Sequence, residues 1–160
     1  APERLSSMSF SDIYYNETNQ VILIHKDNAE NLKTLADFAG KTVAAQNGTV
    51  QEKLVTEQLT ESQLEKITLI PDAVMMLLTK KVDGLALASV VADGYVANHP
   101  ELVICEGKFT YESSGVAVAL PLNEPELLEA VNAIIAKMVE GKLFYAWIEK
   151  AVELNNSMTK

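Results

Sequence analysis

The stretch TVAAQNGTVQE, residues 42–52, predicts a strand, a tight turn and the start of a helix. The apolar run at 43–45 is typical of a buried strand, and the Asn-Gly pair at 47–48 is a strong turn signal. Thr49 and Glu52 have the spacing of a capping box, in which the Thr49 hydroxyl accepts from the N–H of Glu52 and the Glu52 carboxylate accepts from the N–H of Thr49. Because a helix start presents unpaired N–H groups, a carboxylate could bind here. The local pattern also fits an ordinary βα turn without a ligand.

Strands and helices alternate along the rest of the chain. Strands are predicted at 20–25, 43–45, 66–70, 85–87, 102–105 and 115–120, and Pro71 is expected to end the strand at 66–70. Helices are predicted to begin after the capping residues Thr34, Thr49, Asp72 and Ser89 and at Pro125, and a last helix carries Leu143 to Leu154. Such βαβαβα alternation with short connections predicts an α/β layer structure with a mostly parallel sheet.

Length, charge and cysteine content exclude several classes of protein. The 160 residues are enough for one domain with a substantial core. The formal net charge of −9 argues against nucleic-acid binding, which requires clustered basic side chains. No basic run favours an anionic membrane surface, and no apolar run is long enough to span a bilayer. The single cysteine, Cys105, excludes an internal disulfide, so the cytoplasm and the mature part of an exported protein both remain open.

Few residues suggest catalysis or metal binding. His25 and His99 have no other ligand at metal-site spacing, so we expect no metal and no cofactor. Cys105 lies in an apolar predicted strand and is interpreted as a small buried side chain rather than a nucleophile. The Ser-Ser-Gly run at 113–115 lacks the pattern of a nucleophile elbow, and Gly48 stands outside any phosphate-loop pattern. This pattern favours a binding protein over an enzyme.

A series of short motifs extends over nearly the whole chain. They are PER at 2–4 with FSDIYY at 10–15, LADFAGKTV at 35–43, QNGTVQE at 46–52, VDG at 82–84 with YV at 95–96, and GVAV at 115–118 with PELLEAVN at 125–132. In order and spacing the series resembles the amino-acid-binding proteins of ABC transporters, the type II periplasmic solute-binding proteins (bacterial extracellular solute-binding protein family 3). The resemblance implies a three-layer αβα lobe with a mostly parallel sheet, plus C-terminal helices.

The resemblance also implies a division of the chain. Residues 1–13 correspond to a partial first lobe and crossover segment, residues 14–113 to the second lobe, and residues 114–160 to a crossover strand and the C-terminal helices of the first lobe. Most of the N-terminal lobe is then expected to be missing. Without it, the apolar stripes of the C-terminal helices would be uncovered. The helices could fold back on their own sheet or pack against a second copy, and of the two we expect a homodimer.

The same resemblance implies a set of ligand-binding residues. Arg4 lies where the family has the arginine that grips the ligand α-carboxylate, a role suited to a guanidinium fork. The helix-start segment implied to hold the ligand consists of Gln46, Asn47, Gly48, Thr49, Val50 and Gln51. Ala88, followed by Ser89, lies where the family has an acidic residue that pairs with the ligand α-ammonium. Val50 replaces a family threonine, which removes a hydroxyl and keeps the backbone N–H.

The function implied is the extracytoplasmic solute-binding component of an ABC importer for an amino acid or related small carboxylate. The ligand would bind by closure of two lobes, and the partners would be ABC permease subunits. The protein would lie in the periplasm or at the cell surface, its signal peptide removed, with a lipoprotein anchor as one form of attachment. Two alternatives remain: a ligand-sensing domain of a receptor or kinase with the same fold, and a dehydratase-like enzyme on this fold.

Overall fold

The structure is a computed structural model that describes residues 7–15, 19–111 and 115–158. Arg4 and the serines at 113–114 lie outside the described residues. The chain divides into two compact units, and each is described by itself. The sheet unit is Asn19–Tyr111, and the helical unit combines Ala1–Thr18 with Glu112–Lys160.

The elements follow one another in nearly the predicted order. The strands are β1 (Ser9–Phe10), β2 (Gln20–His25), β3 (Thr42–Gln46), β4 (Gln63–Ile67), β5 (Gly84–Ala88), β6 (Leu102–Ile104) and β7 (Ala119–Leu120). The α-helices are α1 (Val50–Gln58), α2 (Ile70–Leu78), α3 (Ser89–Asn98), α4 (Pro125–Glu140) and α5 (Leu143–Met158). Within the described residues, two short 3-10 helices span Lys26–Asn28 and Leu35–Phe38.

The sheet unit is built on a five-stranded sheet in the order β4-β3-β5-β2-β6. β3 pairs in parallel with β4 and β5, whereas β2 pairs antiparallel with β5 and β6, so β2 runs opposite to the other four strands. The predicted mostly parallel sheet is therefore confirmed. Because β3, β4 and β5 point the same way, their carboxyl ends meet at one edge, and α1, α2 and α3 all begin there. We call this the carboxyl edge.

Two hydrophobic clusters cover the two faces of this sheet. Successive residues of β2 show the alternation, since Ile22 and Ile24 belong to one cluster and Leu23 to the other. The first cluster includes Leu54 and Val55 from α1, and the second includes residues of α2 and α3. The sheet unit thus has the three layers that the family resemblance implied. None of the described helices is long and apolar enough to cross a bilayer.

Four predicted boundaries are wrong. The strand predicted at 66–70 is β4 at Gln63–Ile67. Asp72 does not cap α2, because the helix begins at Ile70 with Leu69 as its N-cap, and both Pro71 and Asp72 lie in its first turn. Proline is tolerated there because first-turn N–H groups have no intrahelical partner. Ser89 is the first residue of α3 rather than its cap, because β5 runs directly into the helix through the extended Ala88. The strand predicted at 115–120 is reduced to β7 and one bridge between Val116 and Tyr15.

The helical unit packs an aromatic cluster beside a short antiparallel pair of strands, β1 and β7. The rings of Tyr14 and Tyr15 lie 5.1 and 5.0 Å from the ring of Phe144, measured between centroids. The N–H of Asp12 donates to the side-chain oxygen of Asn132 at 2.8 Å, which ties α4 to the chain after β1. The helices α4 and α5 also expose large apolar side chains, including Leu127, Ile134, Val139, Leu143, Tyr145, Trp147 and Leu154.

Candidate functional site

Thr49 is the cap of α1, as predicted. Its backbone is extended, with φ −106° and ψ 168°, and its hydroxyl oxygen accepts from the N–H of Glu52 at 3.4 Å. The same hydroxyl donates to the carbonyl of Gln46 at 2.6 Å, which closes the turn between β3 and α1. Gly48, inside this turn, has φ +73°, a conformation that favours glycine. The strand, turn and helix start predicted from residues 42–52 are therefore confirmed.

The second half of the predicted capping box differs from expectation. The Glu52 carboxylate accepts from the N–H of Gly48 at 2.6 Å instead of from Thr49, and its other oxygen lies 2.6 Å from Nζ of Lys66. The hydrogen bond from Lys66 and that from Gly48 hold the pKa of Glu52 below its ordinary value. The chain's own carboxylate thus occupies the N–H of Gly48. The N–H groups of Thr49, Val50 and Gln51 donate to no described backbone or side-chain acceptor.

The rest of the turn is hydrogen-bonded to the end of β4 and to the residue that follows it. The side-chain nitrogen of Gln46 donates to the carbonyl of Thr68 at 2.9 Å, and the N–H of Asn47 donates to the carbonyl of Ile67 at 3.0 Å. Gln46 therefore uses its amide nitrogen to hold the loop, while the side chain of Asn47 is exposed at the carboxyl edge.

Residues far apart in sequence meet at the same edge. Ala88, at the end of β5, pairs directly with Gln20 at the start of β2, and the N–H of Ser89 donates to the carbonyl of Asn19 at 2.9 Å. Gln20 is only 6% exposed, and its side-chain oxygen accepts from the side-chain nitrogen of Gln51 at 2.6 Å. The fold thus brings residues 46–51 together with Ala88 and Ser89, and it adds Gln20, which sequence reasoning missed.

A signal for Gln20 exists in the sequence. It is the one polar residue at the beginning of the otherwise apolar run QVILI at 20–24. The residues that lie next to Gln20 in the folded chain could not be predicted from that run. The strand β2 was expected in a mostly parallel sheet, whereas it pairs antiparallel with β5.

The other reactive side chains of the sheet unit have structural roles. Cys105 is buried, its Sγ donates to the carbonyl of Leu32 at 3.2 Å, and it accepts from the N–H of Gly107 at 3.3 Å. Burial raises the pKa of this thiol, which disfavours the reactive thiolate. His25 caps the first 3-10 helix by accepting from the N–H of Asp27. No cluster of three metal-ligating side chains occurs within residues 7–15, 19–111 and 115–158.

Two shallow cavities lie toward the opposite end of α1. One, of about 270 Å³, is lined by residues from Leu35–Ala39 and Gln58–Ser62. The other, of about 320 Å³, is lined by residues that include Val55, Thr60 and Lys66. Of the predicted ligand-binding residues that the structure describes, 46–51, 88 and 89, none lines either cavity. Lys66, the partner of Glu52, lines the second one.

Comparisons with known proteins give consistent relatives. No family model matches the chain. It is 29% identical over 138 residues to ABC transporter arginine-binding protein 1 of Escherichia coli K12, covering 84% of this chain and 55% of that protein. It is 32% identical over 145 residues to the arginine-binding extracellular protein ArtP of Bacillus subtilis 168, covering 88% of this chain and 54% of that protein. The chain therefore spans about half the length of the curated relatives it matches.

A solved structure extends the likeness to the fold. The crystal structure of the amino acid ABC transporter substrate-binding protein AbpA from Streptococcus pneumoniae, bound to L-arginine, matches with a TM-score of 0.89 and 29% identity. The match covers 97% of this chain and 65% of that one. The predicted type II periplasmic-binding-protein fold is therefore confirmed.

Proposed function

Because this chain is a relative of the amino-acid-binding proteins of ABC transporters, as the motif series predicted, we propose that it is the extracytoplasmic solute-binding component of an ABC importer. Its ligand is an amino acid or a related small carboxylate, and its partners are ABC permease subunits. It acts in the periplasm or at the cell surface. It binds rather than transforms its ligand, in keeping with relatives named for the amino acid that they bind.

The carboxyl edge carries this proposal. The start of α1 offers the N–H groups of Thr49, Val50 and Gln51 at the positive end of the helix dipole, where a carboxylate is favoured. Glu52 forms an ion pair with Lys66 and accepts a hydrogen bond from the N–H of Gly48, so its charge repels an incoming carboxylate less than an unpaired glutamate would. The proposed contacts with the ligand come from residues 46–51, Ala88 and Ser89. Arg4, proposed for the ligand carboxylate, lies outside the described residues.

We assign residues 14–113 to the second lobe of the binding protein, residues 1–13 to the partial first lobe and crossover, and residues 114–160 to the crossover strand and first-lobe helices. The compactness of Asn19–Tyr111 supports this division. In the complete protein, ligand binding would shift an equilibrium between open and closed arrangements of two lobes.

We further propose that this chain pairs with a second copy through α4 and α5. Ile134 on α4 is 58% exposed and Trp147 on α5 is 52% exposed. Contiguous exposed apolar surface marks interaction sites in soluble proteins, and burying each large apolar side chain contributes about 1.5–3 kcal/mol. A two-fold pairing would cover both helices at once.

Calorimetric titration of the chain with the common amino acids tests the proposed function. We expect heats of binding only at millimolar ligand, because Ala88 offers no carboxylate to a ligand ammonium. Heats that are absent for every amino acid at millimolar concentration would contradict ligand binding by this chain. Micromolar affinity would contradict the weak binding expected from Ala88.

A further inference from the structure

The side chains of Gln20 and Gln51 form a carboxamide pair at the carboxyl edge. The nitrogen of Gln51 lies 2.6 Å from the oxygen of Gln20, and the two residues are 31 positions apart in the chain. Gln20 is anchored in β2 opposite Ala88, and Gln51 is anchored in the first turn of α1. The pair therefore joins the strand and the helix that border the proposed ligand site.

The pair leaves hydrogen-bonding capacity of both kinds unused. Each carboxamide has an oxygen with two acceptor positions and an NH2 group with two N–H donors, and the mutual bond uses one N–H and one acceptor position. An oxygen of one residue and the NH2 group of the other remain. The same groups remain if both amides are rotated by 180°. Gln20 then becomes the donor and Gln51 the acceptor, and one oxygen and one NH2 group are still unused.

The described segments that adjoin the pair, residues 46–52, 88 and 89, contain one ionisable side chain. It is Glu52, which is bound to Lys66 and to the N–H of Gly48. A cationic ligand group placed here would find no free carboxylate among these residues. A neutral group with one donor and one acceptor would match the pair at little desolvation cost.

We propose that the Gln20–Gln51 pair recognises a carboxamide on the ligand, so that this site prefers an amide-bearing small carboxylate over a cationic one. The inference rests on the proposed function, since it names the ligand class of the same site. Gln20 is a specificity-determining residue that supports and orients Gln51. A neutral hydrogen bond contributes about 0.5–1.5 kcal/mol, which corresponds to about a twofold to tenfold preference for L-glutamine over L-arginine.

Nuclear magnetic resonance of the labelled chain tests this directly. L-Glutamine and L-arginine at millimolar concentration are the probes, and the side-chain NH2 signals of Gln20 and Gln51 are the readout. Gln58 is an internal control, because its carboxamide is paired with the backbone of Thr110 on a different part of α1. We expect the signals of the pair to shift with L-glutamine at a lower concentration than with L-arginine, and the Gln58 signal to stay in place.

The outcomes separate the two proposals. If the backbone signals of residues 48–51 shift and the pair does not, the proposed function stands and the role of the pair is refuted. Shifts of the pair that favour L-arginine overturn the ligand class. If no signal shifts with either probe or with any other amino acid, the proposed function fails for this chain. Gln20→Met should remove the preference for L-glutamine and Gln58→Met should keep it. Should Gln20→Met not fold, the wild-type titration alone decides.

Discussion

The carboxylate of Glu52 accepts a hydrogen bond from the backbone N–H of Gly48 at 2.6 Å, four residues earlier in the chain. The same carboxylate contacts Lys66 at 2.6 Å, so it connects the turn before α1 with strand β4. The turn that forms the proposed ligand site is therefore held by an acidic side chain of α1 itself. This arrangement makes the stability of the turn dependent on the ionisation of Glu52.

Stability should fall in acid partly through Glu52. The pKa of Glu52 is lowered from its ordinary value of 4.5 in the folded chain, first by Lys66 and then by Gly48. Its contribution is therefore fully present above the unfolded pKa and is lost as the pH falls through the lower folded pKa. Urea midpoints of wild type and Glu52→Gln should converge as the solution is acidified. Glu57→Gln, on the same helix, is the control, and equal pH profiles for wild type and Glu52→Gln would contradict this role.

Thr49→Ala should destabilise the sheet unit by about 1 kcal/mol, because the N-cap of α1 is lost together with the bond to the Gln46 carbonyl. Chemical denaturation followed by circular dichroism measures the change. Thr60→Ala, at an exposed turn after α1, should leave the midpoint nearly unchanged. An unchanged midpoint for Thr49→Ala would refute the capping role.

Much of this turn could be predicted from sequence, because a cap and a turn depend on neighbours three or four residues apart. The contacts of Glu52 with Lys66 and of Gln20 with Ala88 could not be predicted, because only the pairing of the strands brings these residues together. The position of Pro71 was predicted wrongly for a related reason. Proline is compatible both with a strand end and with a first helical turn, and only the end of β4 at Ile67 decides between the two.

Ala88→Asp should strengthen the binding of amino acids. A carboxylate at the end of β5 would pair with a ligand ammonium, and a hydrogen bond to a charged group contributes about 1.5–3 kcal/mol. Calorimetry should show affinity for L-arginine rising by at least about tenfold. Ala97→Asp, which places the same charge on an exposed position of α3, should have no such effect. Equal affinities of wild type and Ala88→Asp would contradict the position assigned to Ala88.

The chain should be a dimer in solution at micromolar concentration, because α4 and α5 expose apolar side chains that a second copy would cover. Light scattering measures the mass. Ile134→Lys should yield a monomer, whereas Val91→Lys, which changes an exposed apolar residue of α3, should not. A wild-type monomer whose Trp147 is shielded from a soluble quencher would refute the pairing.

The central claim is that the carboxyl edge of the sheet unit, at the start of α1, binds the ligand. The most direct measurement is a titration of the labelled chain with amino acids at millimolar concentration, following the backbone N–H signals. We expect the signals of Thr49, Val50 and Gln51 to shift with the ligand, while those of Thr60, Glu61 and Ser62 at the two cavities stay unchanged. Shifts confined to the cavity residues, or no shift with any amino acid, would contradict the claim.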